Sequence, residues 1–367
     1  MSTRMRLLFA SVLIFGLAFY AWAGPENDAI DIRSMGELAF GPDGVLFVGD
    51  SAGAAIYALQ LGDKEKADAE ADPPRITDLD EKLAGLFGVS PRDLLVNDMA
   101  VHPTSRNIYL SVSRGRGNDA VPVLMKVNMA GEISEVSLDG VPWQKAAIDN
   151  APAEDAKDRR GRSLRTQTIT DITYADGMVF VAGLSNEEFS SQLRQLPYPF
   201  KGKSSSSGIE IYHGAHGAFE THAPIRTLMP LELEGKSHLL AAYTCTPLVT
   251  IPIADLKDGA KVQGKTVAEL GFGNAPLDMV SVEKDGEPLV LITNNRRAGM
   301  TLKPADIAGS AAITTEVEGI TAGTPFTASP FGGTLHMDNF GKEAVIYIAR
   351  NLDDGSLILA ARSTRWL

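Results

Sequence analysis

The sequence contains 367 residues, of which 44% are hydrophobic and 22% are charged, and its formal net charge at pH 7 is −12. An acidic chain is a poor partner for nucleic acid or an anionic membrane surface, so we predict neither as a partner. There is one cysteine, Cys245, which excludes an internal disulfide.

The first 23 residues have the pattern of a secretory signal peptide. Arg4 and Arg6 precede an apolar stretch over residues 7–20, and residues 21–23 read Ala-Trp-Ala, a small-x-small cleavage site. The alternative is an uncleaved anchor, although the apolar stretch is short for a bilayer span. We therefore predict a periplasmic or secreted protein without membrane association after cleavage. The mature chain, residues 24–367, would carry a net charge of −14 because both arginines are lost.

A motif recurs along the rest of the chain: a polar or acidic residue, a short apolar run, a Gly/Pro/Asp turn and a second apolar run. It occupies residues 37–51, 97–113 and 171–183. Hairpins repeated in this way are typical of β-propellers. Six units begin near Met35, Asn97, Thr168, Ile225, Pro276 and Pro325. We predict an all-β chain that forms a single β-propeller of six four-stranded blades. The units average about 57 residues, above the usual 40–50, so a seventh, degenerate blade stays open.

Two insertions account for much of this excess length. Residues 62–96 are charged and then place leucines near helical spacing over 79–87, before Gly88 and Pro91, which predicts one short surface helix. Residues 144–166 are polar, which predicts a long loop. A propeller must also close its ring of blades, because open sheet edges are a liability. We predict that residues 29–32 supply the outer strand of the last unit.

The units over residues 37–57 and 97–127 resemble the broad class of secreted propellers that includes NHL-repeat, gluconolactonase-like and amine-dehydrogenase-like YVTN propellers. The resemblance is to a scaffold that these families share while their chemistries differ. It implies a propeller with a functional site near the central axis. It implies no particular substrate.

Four acidic residues stand at the starts of inner strands, which in such propellers gather around the axis on the top face: Glu37, Asp98, Asp171 and Asp278. Converging carboxylates repel one another unless a cation or arginines neutralise them. Calcium binds six to eight oxygen ligands, so we predict these four as candidate ligands of a calcium ion. The alternative is that each acid accepts hydrogen bonds from backbone amides at its strand start.

Arginines and asparagines are also expected on the top face. Guanidinium groups suit carboxylate and phosphate, so an anionic small ligand is the second candidate occupant of this face. The candidate ligand-binding residues are Arg114, Arg226, Arg296, Asn186 and Asn294, together with Cys245. The alternative for the arginines is ion pairing with the four acids.

Three histidines lie close together in the sequence: His213, His216 and His222. We predict a hairpin over residues 214–217, which places His222 about 17 Å beyond His216 along a strand at roughly 3.3 Å per residue. One metal ion would not reach all three. Cys245 follows the second strand of unit four, where a site residue is expected. It is either a small apolar core residue or a reactive or metal-binding thiol.

Three hypotheses for the function follow. The first is a periplasmic propeller that binds a small anionic ligand or a divalent cation at the top centre. The second is a metal-dependent hydrolase of the gluconolactonase-like type, in which Asp98 or Asp171 activates water beside the metal. The third is a non-catalytic accessory or scaffold subunit of a periplasmic redox enzyme, with the same face docking a protein. The sequence does not decide between them.

Overall fold

The computed structural model describes residues 29–68 and 71–367. Over these residues the chain forms six β-sheets around a central axis, so the protein is a six-bladed β-propeller and the six-blade prediction is confirmed. The predicted signal peptide, residues 1–23, lies outside the described residues. No helix within the described part of the chain is long and apolar enough to span a bilayer.

We number the blades by the chain order of their inner strands. Blades 1 and 2 contain, in chain order, β1 (Leu38–Phe40), β2 (Leu46–Asp50), β3 (Ala55–Leu59), β4 (Leu94–Val101), β5 (Ile108–Arg114), β6 (Val121–Val127), β7 (Ile133–Glu135) and β8 (Trp143–Ala147). Blade 1 has the strand order β1-β2-β3-β8, and blade 2 has the order β4-β5-β6-β7. Helix α1 (Leu79–Phe87) lies between β3 and β4.

Blades 3 and 4 are the widest. Their strands are β9 (Asp171–Ala175), β10 (Met178–Leu184), β11 (Ser191–Pro197), β12 (Ser205–His213), β13 (Ala218–Glu220), β14 (Ile225–Leu233), β15 (Lys236–Tyr243), β16 (Pro247–Pro252), β17 (Lys261–Gln263) and β18 (Lys265–Glu269). Blade 3 has the order β9-β10-β11-β12-β13, with β17 also paired to β12. Blade 4 contains β14, β15, β16 and β18.

The remaining elements are β19 (Pro276–Lys284), β20 (Glu287–Asn294), β21 (Gly299–Leu302), α2 (Pro304–Gly309), β22 (Ala322–Gly323), β23 (Thr327–Ser329), β24 (Thr334–Asn339), β25 (Ala344–Arg350) and β26 (Leu357–Ser363). β22 completes blade 4, blade 5 is β19-β20-β21-β23, and blade 6 is β24-β25-β26. The blades therefore depart from a uniform four strands. Helix α2 was not predicted.

The hydrophobic core lies between neighbouring blades. One buried cluster, for example, joins Phe180 and Ile209 of blade 3 to Leu228 and Leu239 of blade 4. Alternating side chains along each strand fill these spaces from both sheets. Since most of the buried apolar residues pack between the sheets, open space remains around the axis, lined by both polar and apolar side chains.

The order of the blades around the axis differs from their order along the chain. Strand β1 contacts both β4 and β9, and β4 contacts β24, so blade 1 lies between blades 2 and 3, and blade 6 adjoins blade 2. The chain leaves blade 1 after β3, builds blade 2, and returns to add β8 at the edge of β3. Residues 144–147 are thus part of a strand, and the prediction of a loop throughout 144–166 was wrong there.

The segment between β3 and β4 closes the ring. Ile76 exchanges two backbone hydrogen bonds with Leu359 of β26, both 2.9 Å long, and Asp80 Oδ1 accepts a hydrogen bond from Leu357 N at 2.9 Å. Leu79 and Leu83 of α1 are fully buried in the cluster shared by blades 2 and 6. The helix was predicted and ends at Gly88 as expected, but it is a packed element of the ring as well as a surface helix.

Residues 29–32 were predicted as the outer strand of the last blade, and this was wrong. Ile30 and Ile32 pack on the blade 1 cluster that contains Tyr57 and Trp143. The Tyr57 hydroxyl donates a hydrogen bond to the carbonyl of Asp31. Ile76 lies in the segment that connects blade 1 to blade 2. Because blade 6 adjoins blade 2, this segment passes the outer edge of blade 6, and Ile76 pairs with that edge.

Candidate functional site: an acidic axial channel

Four inner strands carry a register shift at the same relative position, just below the top face, where the inner strands begin. The shifts fall at Asn97 in β4, Arg226 in β14, Leu277 in β19 and Leu335 in β24. A β-bulge adds an unpaired residue and re-aims the side chains next to it. All four residues line the space around the axis, and Glu37 lines it from blade 1.

The axial space consists of two cavities. The top cavity has a volume of about 780 Å³ and the bottom cavity about 680 Å³. Five residues line both and form the waist between them: Glu37, Asn97, Leu277, Leu335 and His336. Volumes of this size are typical of small-molecule sites.

The predicted acids meet in the bottom cavity, just below the waist. Glu37, Asp98, Asp171 and Asp278 all line it, together with Asp338 and Arg226. The sequence therefore identified side chains that the fold does bring together, although it expected them on the top face.

The aspartates also link neighbouring blades through backbone hydrogen bonds, as the alternative interpretation expected. The four interblade bonds are 2.6–2.7 Å long: Leu38 N to Asp98 Oδ2, Leu228 N to Asp171 Oδ2, Met337 N to Asp278 Oδ2, and Val101 N to Asp338 Oδ2. Three of the aspartates also accept a bond from the next residue's own N–H. Buried N–H groups need such partners, so these carboxyls help hold the ring together.

Charge accumulates around Glu37. Burial within the channel raises its pKa well above the ordinary value, and the charges of Asp98, Asp171 and Asp278 raise it further, while Arg226 opposes them. Burial raises the pKa of Asp171 to about 7, with Asp98 adding to the shift and hydrogen bonds from Leu228 N and Ile172 N opposing it. Both shifts favour the protonated acids, and a bound cation would favour the ionised form instead.

Burial likewise raises the pKa of Asp278, with the charges of Asp98 and Asp171 acting in the same direction. Asp338 has its pKa raised to about 6, again chiefly by burial. Raised carboxyl pKa values are therefore found in several blades around the axis. A cluster of carboxyls that share protons in a cleft is a frequent property of functional sites.

One group of donors in the channel is compact enough to bind a single ion. Asp98, Asp278 and His336 each place one ligand atom within 4.8 Å of the others. His336 Nδ1 is 3.4 Å from Asp98 Oδ1, and the two side chains are only 18% and 13% exposed. Two carboxylates and an imidazole suit a divalent cation such as Mn²⁺ or Zn²⁺ better than calcium, which prefers oxygen alone.

Sequence reasoning missed His336, although a signal was present. Asp98, Asp278 and His336 are each followed by methionine and each come directly after the bulged residue of their strand. Aligning the units on this methionine would have placed His336 beside the two aspartates.

Most of the predicted ligand-binding residues lie outside both axial cavities. Arg114 is exposed, with its guanidinium 5.9 Å from the centre of the Phe87 ring, and Arg296 is exposed at the end of blade 5. Asn186 is exposed, whereas Asn294 is buried and accepts a 2.8 Å hydrogen bond from Asn274. Of the three predicted arginines, the fold brings Arg226 alone to the axis.

The histidines and the cysteine form a second group, away from the axis. His213 and His216 lie beside Cys245, with one ligand atom from each within 4.8 Å of the others. The expected hairpin at 214–217 joins β12 to β13. His222 is exposed and is not part of this group. Cys245 was expected at the axial site and instead lies between the outer parts of blades 3 and 4.

Three solved structures similar to this chain are distant from it in sequence. A protein described as a putative oxidoreductase (glucose dehydrogenase) from Thermus thermophilus is 13% identical, with a TM-score of 0.37, over 90% of this chain and 97% of that one. The PQQ-bound aldose sugar dehydrogenase of Streptomyces coelicolor is 13% identical, with a TM-score of 0.33, over 91% and 95%. A streptogramin B lyase is 10% identical, with a TM-score of 0.34, over 93% and 87%.

No family model matches the sequence, and no curated protein sequence matches it. The six-bladed architecture follows from the sheets themselves.

Proposed function

We propose that this protein is an exported β-propeller that binds a divalent cation in its axial channel. The observation that carries the proposal is the meeting of Asp98, Asp278 and His336, with ligand atoms within 4.8 Å, in a channel that also contains Glu37 and Asp171. The acidic side chains that line the bottom cavity outnumber its arginines. A bound cation would neutralise the carboxylates and displace their shared protons.

Thermal denaturation tests this with Mn²⁺, Ca²⁺ and Mg²⁺ added to metal-free protein. An ion that binds only the native state stabilises it by about 2.7 kcal/mol at a concentration 100-fold above its Kd. We expect Mn²⁺ to raise the Tm of the wild type more than Ca²⁺ or Mg²⁺ does, because an imidazole is among the ligands. His336→Ala should lose the Mn²⁺ response.

Asp278→Asn and Asp338→Asn form a matched pair. Both aspartates line the bottom cavity and accept the same two kinds of backbone hydrogen bond, but only Asp278 belongs to the compact donor group. The Asp278 variant should lose the cation-dependent Tm shift and the Asp338 variant should keep it. Equal responses in the two variants, or no response to any of the three ions in the wild type, would refute the proposal.

A second candidate is metal-dependent hydrolysis of a small ester or lactone, with Asp171 as general base. The observation that favours it is the pKa of Asp171, raised to about 7, in a cavity of about 680 Å³ beside the donor group. A base is most effective when its pKa lies near the working pH. Mn²⁺-dependent hydrolysis of a small lactone, lost in Asp171→Asn, would support it. Turnover that is independent of added metal would rule it out.

A further inference from the structure

A second cluster of metal-binding side chains lies on the top face, between blades 3 and 4. His213 ends β12, His216 lies in the turn at Gly214–His216, and Cys245 lies in the turn between β15 and β16. The imidazole rings of the two histidines are 3.8 Å apart between centroids. None of the three residues lines either axial cavity.

His213 is not fully satisfied by the protein around it. It is 2% exposed, and neither of its ring nitrogens has a hydrogen-bond partner among the described residues. Its Nδ1 lies 3.1 Å from Glu220 Oε2, a contact at ion-pair distance. Leaving a buried polar atom unpaired is destabilising. A ligand on Nε2 would remove this penalty.

The turn that carries Cys245 has an unusual backbone. Cys245 and Thr246 adopt φ values of 66° and 73°, a region that residues other than glycine rarely occupy. The turn is held by hydrogen bonds from Cys245 N to Asn274 O at 2.8 Å and from Thr246 Oγ1 to Gly271 O at 3.1 Å. Two successive residues in this region strain the backbone, and such strain is concentrated at functional sites. Here it places the thiol against the two imidazoles.

One carboxylate orients both rings. Glu220 Oε1 is 2.6 Å from His216 Nδ1, and Glu220 Oε2 makes the contact to His213 Nδ1. Metal-binding histidines usually have their second nitrogen held by a carboxylate in this way, which fixes the tautomer and aims the other nitrogen at the metal. Nδ1 of both rings faces Glu220, so Nε2 of each ring is the nitrogen left for a metal.

A second acid supports the turn. Glu269 is 2% exposed, and its Oε1 accepts hydrogen bonds from Gly214 N at 2.6 Å and from Ala215 N at 3.4 Å. Its Oε2 has no hydrogen-bond partner among the described residues. Burial raises the pKa of Glu269, and a cation bound beside it would favour its ionised form.

The segment between α2 and β22 covers the cluster. Val317 N donates a hydrogen bond to Gly214 O at 3.0 Å, and Ile313 N donates one to Thr266 O at 2.8 Å. A Cβ added at Gly214 would lie about 3 Å from side-chain atoms of Val317 and Ile313, so these apolar groups pack directly on the histidine turn. The metal-binding groups are therefore partly shielded from water.

We propose that His213, His216 and Cys245 bind one transition-metal ion, Zn²⁺ or copper, and that Glu220 is the positioning residue for both imidazoles. Thiolate and imidazole ligands select zinc and copper and exclude calcium and magnesium. Three protein ligands leave a coordination position open. This site is separate from the axial donor group, and of the two it alone offers a thiolate ligand.

The test uses the full mature protein, stripped of metal by a chelator. Zn²⁺, Cu⁺ and Co²⁺ are titrated separately, and Co²⁺ binding through a thiolate is read from its charge-transfer absorption in the near ultraviolet. We expect one equivalent of Co²⁺ to bind with thiolate coordination, and one equivalent of Zn²⁺ or Cu⁺ to displace it and remove the thiolate band. Elemental analysis of the protein as purified then distinguishes zinc from copper.

Two exposed histidines provide matched variants. His216→Ala should weaken metal binding at least 100-fold, while His222→Ala, outside the cluster, should bind as the wild type does. Cys245→Ser should lose the charge-transfer band. Glu220→Gln should weaken binding roughly 10–100-fold while keeping the band, as expected for a positioning residue.

The axial variant His336→Ala separates the two sites, because it removes an axial ligand and should leave the thiolate band of bound Co²⁺ unchanged. Equal Zn²⁺ affinity in the wild type and His216→Ala, or Co²⁺ binding without a thiolate band, would overturn the proposal. Because His216 is exposed, its variant is expected to fold even if Cys245→Ser does not.

Discussion

Replacing Glu37 with Gln is expected to change how the stability of the metal-free protein depends on pH. In the native state the pKa of Glu37 is raised well above its ordinary value of 4.5 by burial and by Asp98, Asp171 and Asp278. Between these two pKa values the native state holds a proton that the unfolded state has lost. The free energy of unfolding therefore falls as the pH rises through this window.

The dependence of the free energy of unfolding on pH has a slope of known size. One extra proton on the native state changes the free energy of unfolding by about 1.4 kcal/mol per pH unit. Gln resembles the protonated acid and does not titrate, so this contribution disappears in the variant. As the pH rises above the ordinary pKa of the acid, the variant should therefore gain stability relative to the wild type, by up to about 1.4 kcal/mol per pH unit. Asp171 contributes a similar fall in both proteins, as its pKa is about 7 in the native state.

Urea denaturation at several pH values in EDTA measures the effect. His102, whose pKa is lowered by burial, acts in the opposite direction but equally in both proteins, so it cancels in the difference. Saturating Mn²⁺ should flatten the wild-type curve, because the ion replaces the protons. Parallel curves for wild type and Glu37→Gln in EDTA would refute the electrostatic account of the channel.

Three further substitutions test the packing of the ring by urea denaturation. Asp50→Ala removes the acceptor for three backbone N–H groups at a fully buried site and should cost roughly 3 kcal/mol or more, so a loss below about 1 kcal/mol would contradict its role. Leu83→Ala should cost about 2–5 kcal/mol, since this helix residue is fully buried between blades; a surface helix would lose far less. Gly183→Ala places a Cβ 1.9 Å from Thr168 O and should be severely destabilising. In contrast, a Cβ at Gly85 in α1 has no neighbour within 4 Å, so Gly85→Ala should stabilise the protein by about 0.5–1 kcal/mol. Similar effects at both glycines would contradict the packing described.

The hairpins could be predicted because their information is local. Each inner pair of strands, such as 97–101 with 108–113, has apolar runs on both sides of a turn that the sequence shows directly. The position of the four acidic residues at the starts of units was enough to expect them around one axis, where the structure has them: Glu37, Asp98, Asp171 and Asp278. Repetition of the same local pattern was enough for the blade count and for these four positions.

The parts that were missed depend on pairing between distant segments. Strand β8 is mostly half-exposed and has no apolar run, so only its hydrogen bonds to β3 reveal it as a strand. Ile76 stands in a charged segment, and its pairing with Leu359 follows from the order of the blades. The approach of Cys245 to His213 joins two blades and cannot be read from spacing along the chain.

The route of the chain through the first two blades also governs how the protein can be made. During synthesis the outer edge of β3 stays unpaired until β8, which begins at Trp143, has been made. All of blade 2 is synthesised before β8. Ile76 stays unpaired for longer, because its partner Leu359 is made near the end of synthesis. Both partnerships span long sequence separations, which slows folding and prolongs the exposure of strand edges. A chain released before blade 6 would therefore have blade 1 complete but the segment around Ile76 without its partner, and we expect such an intermediate to depend on holdase chaperones.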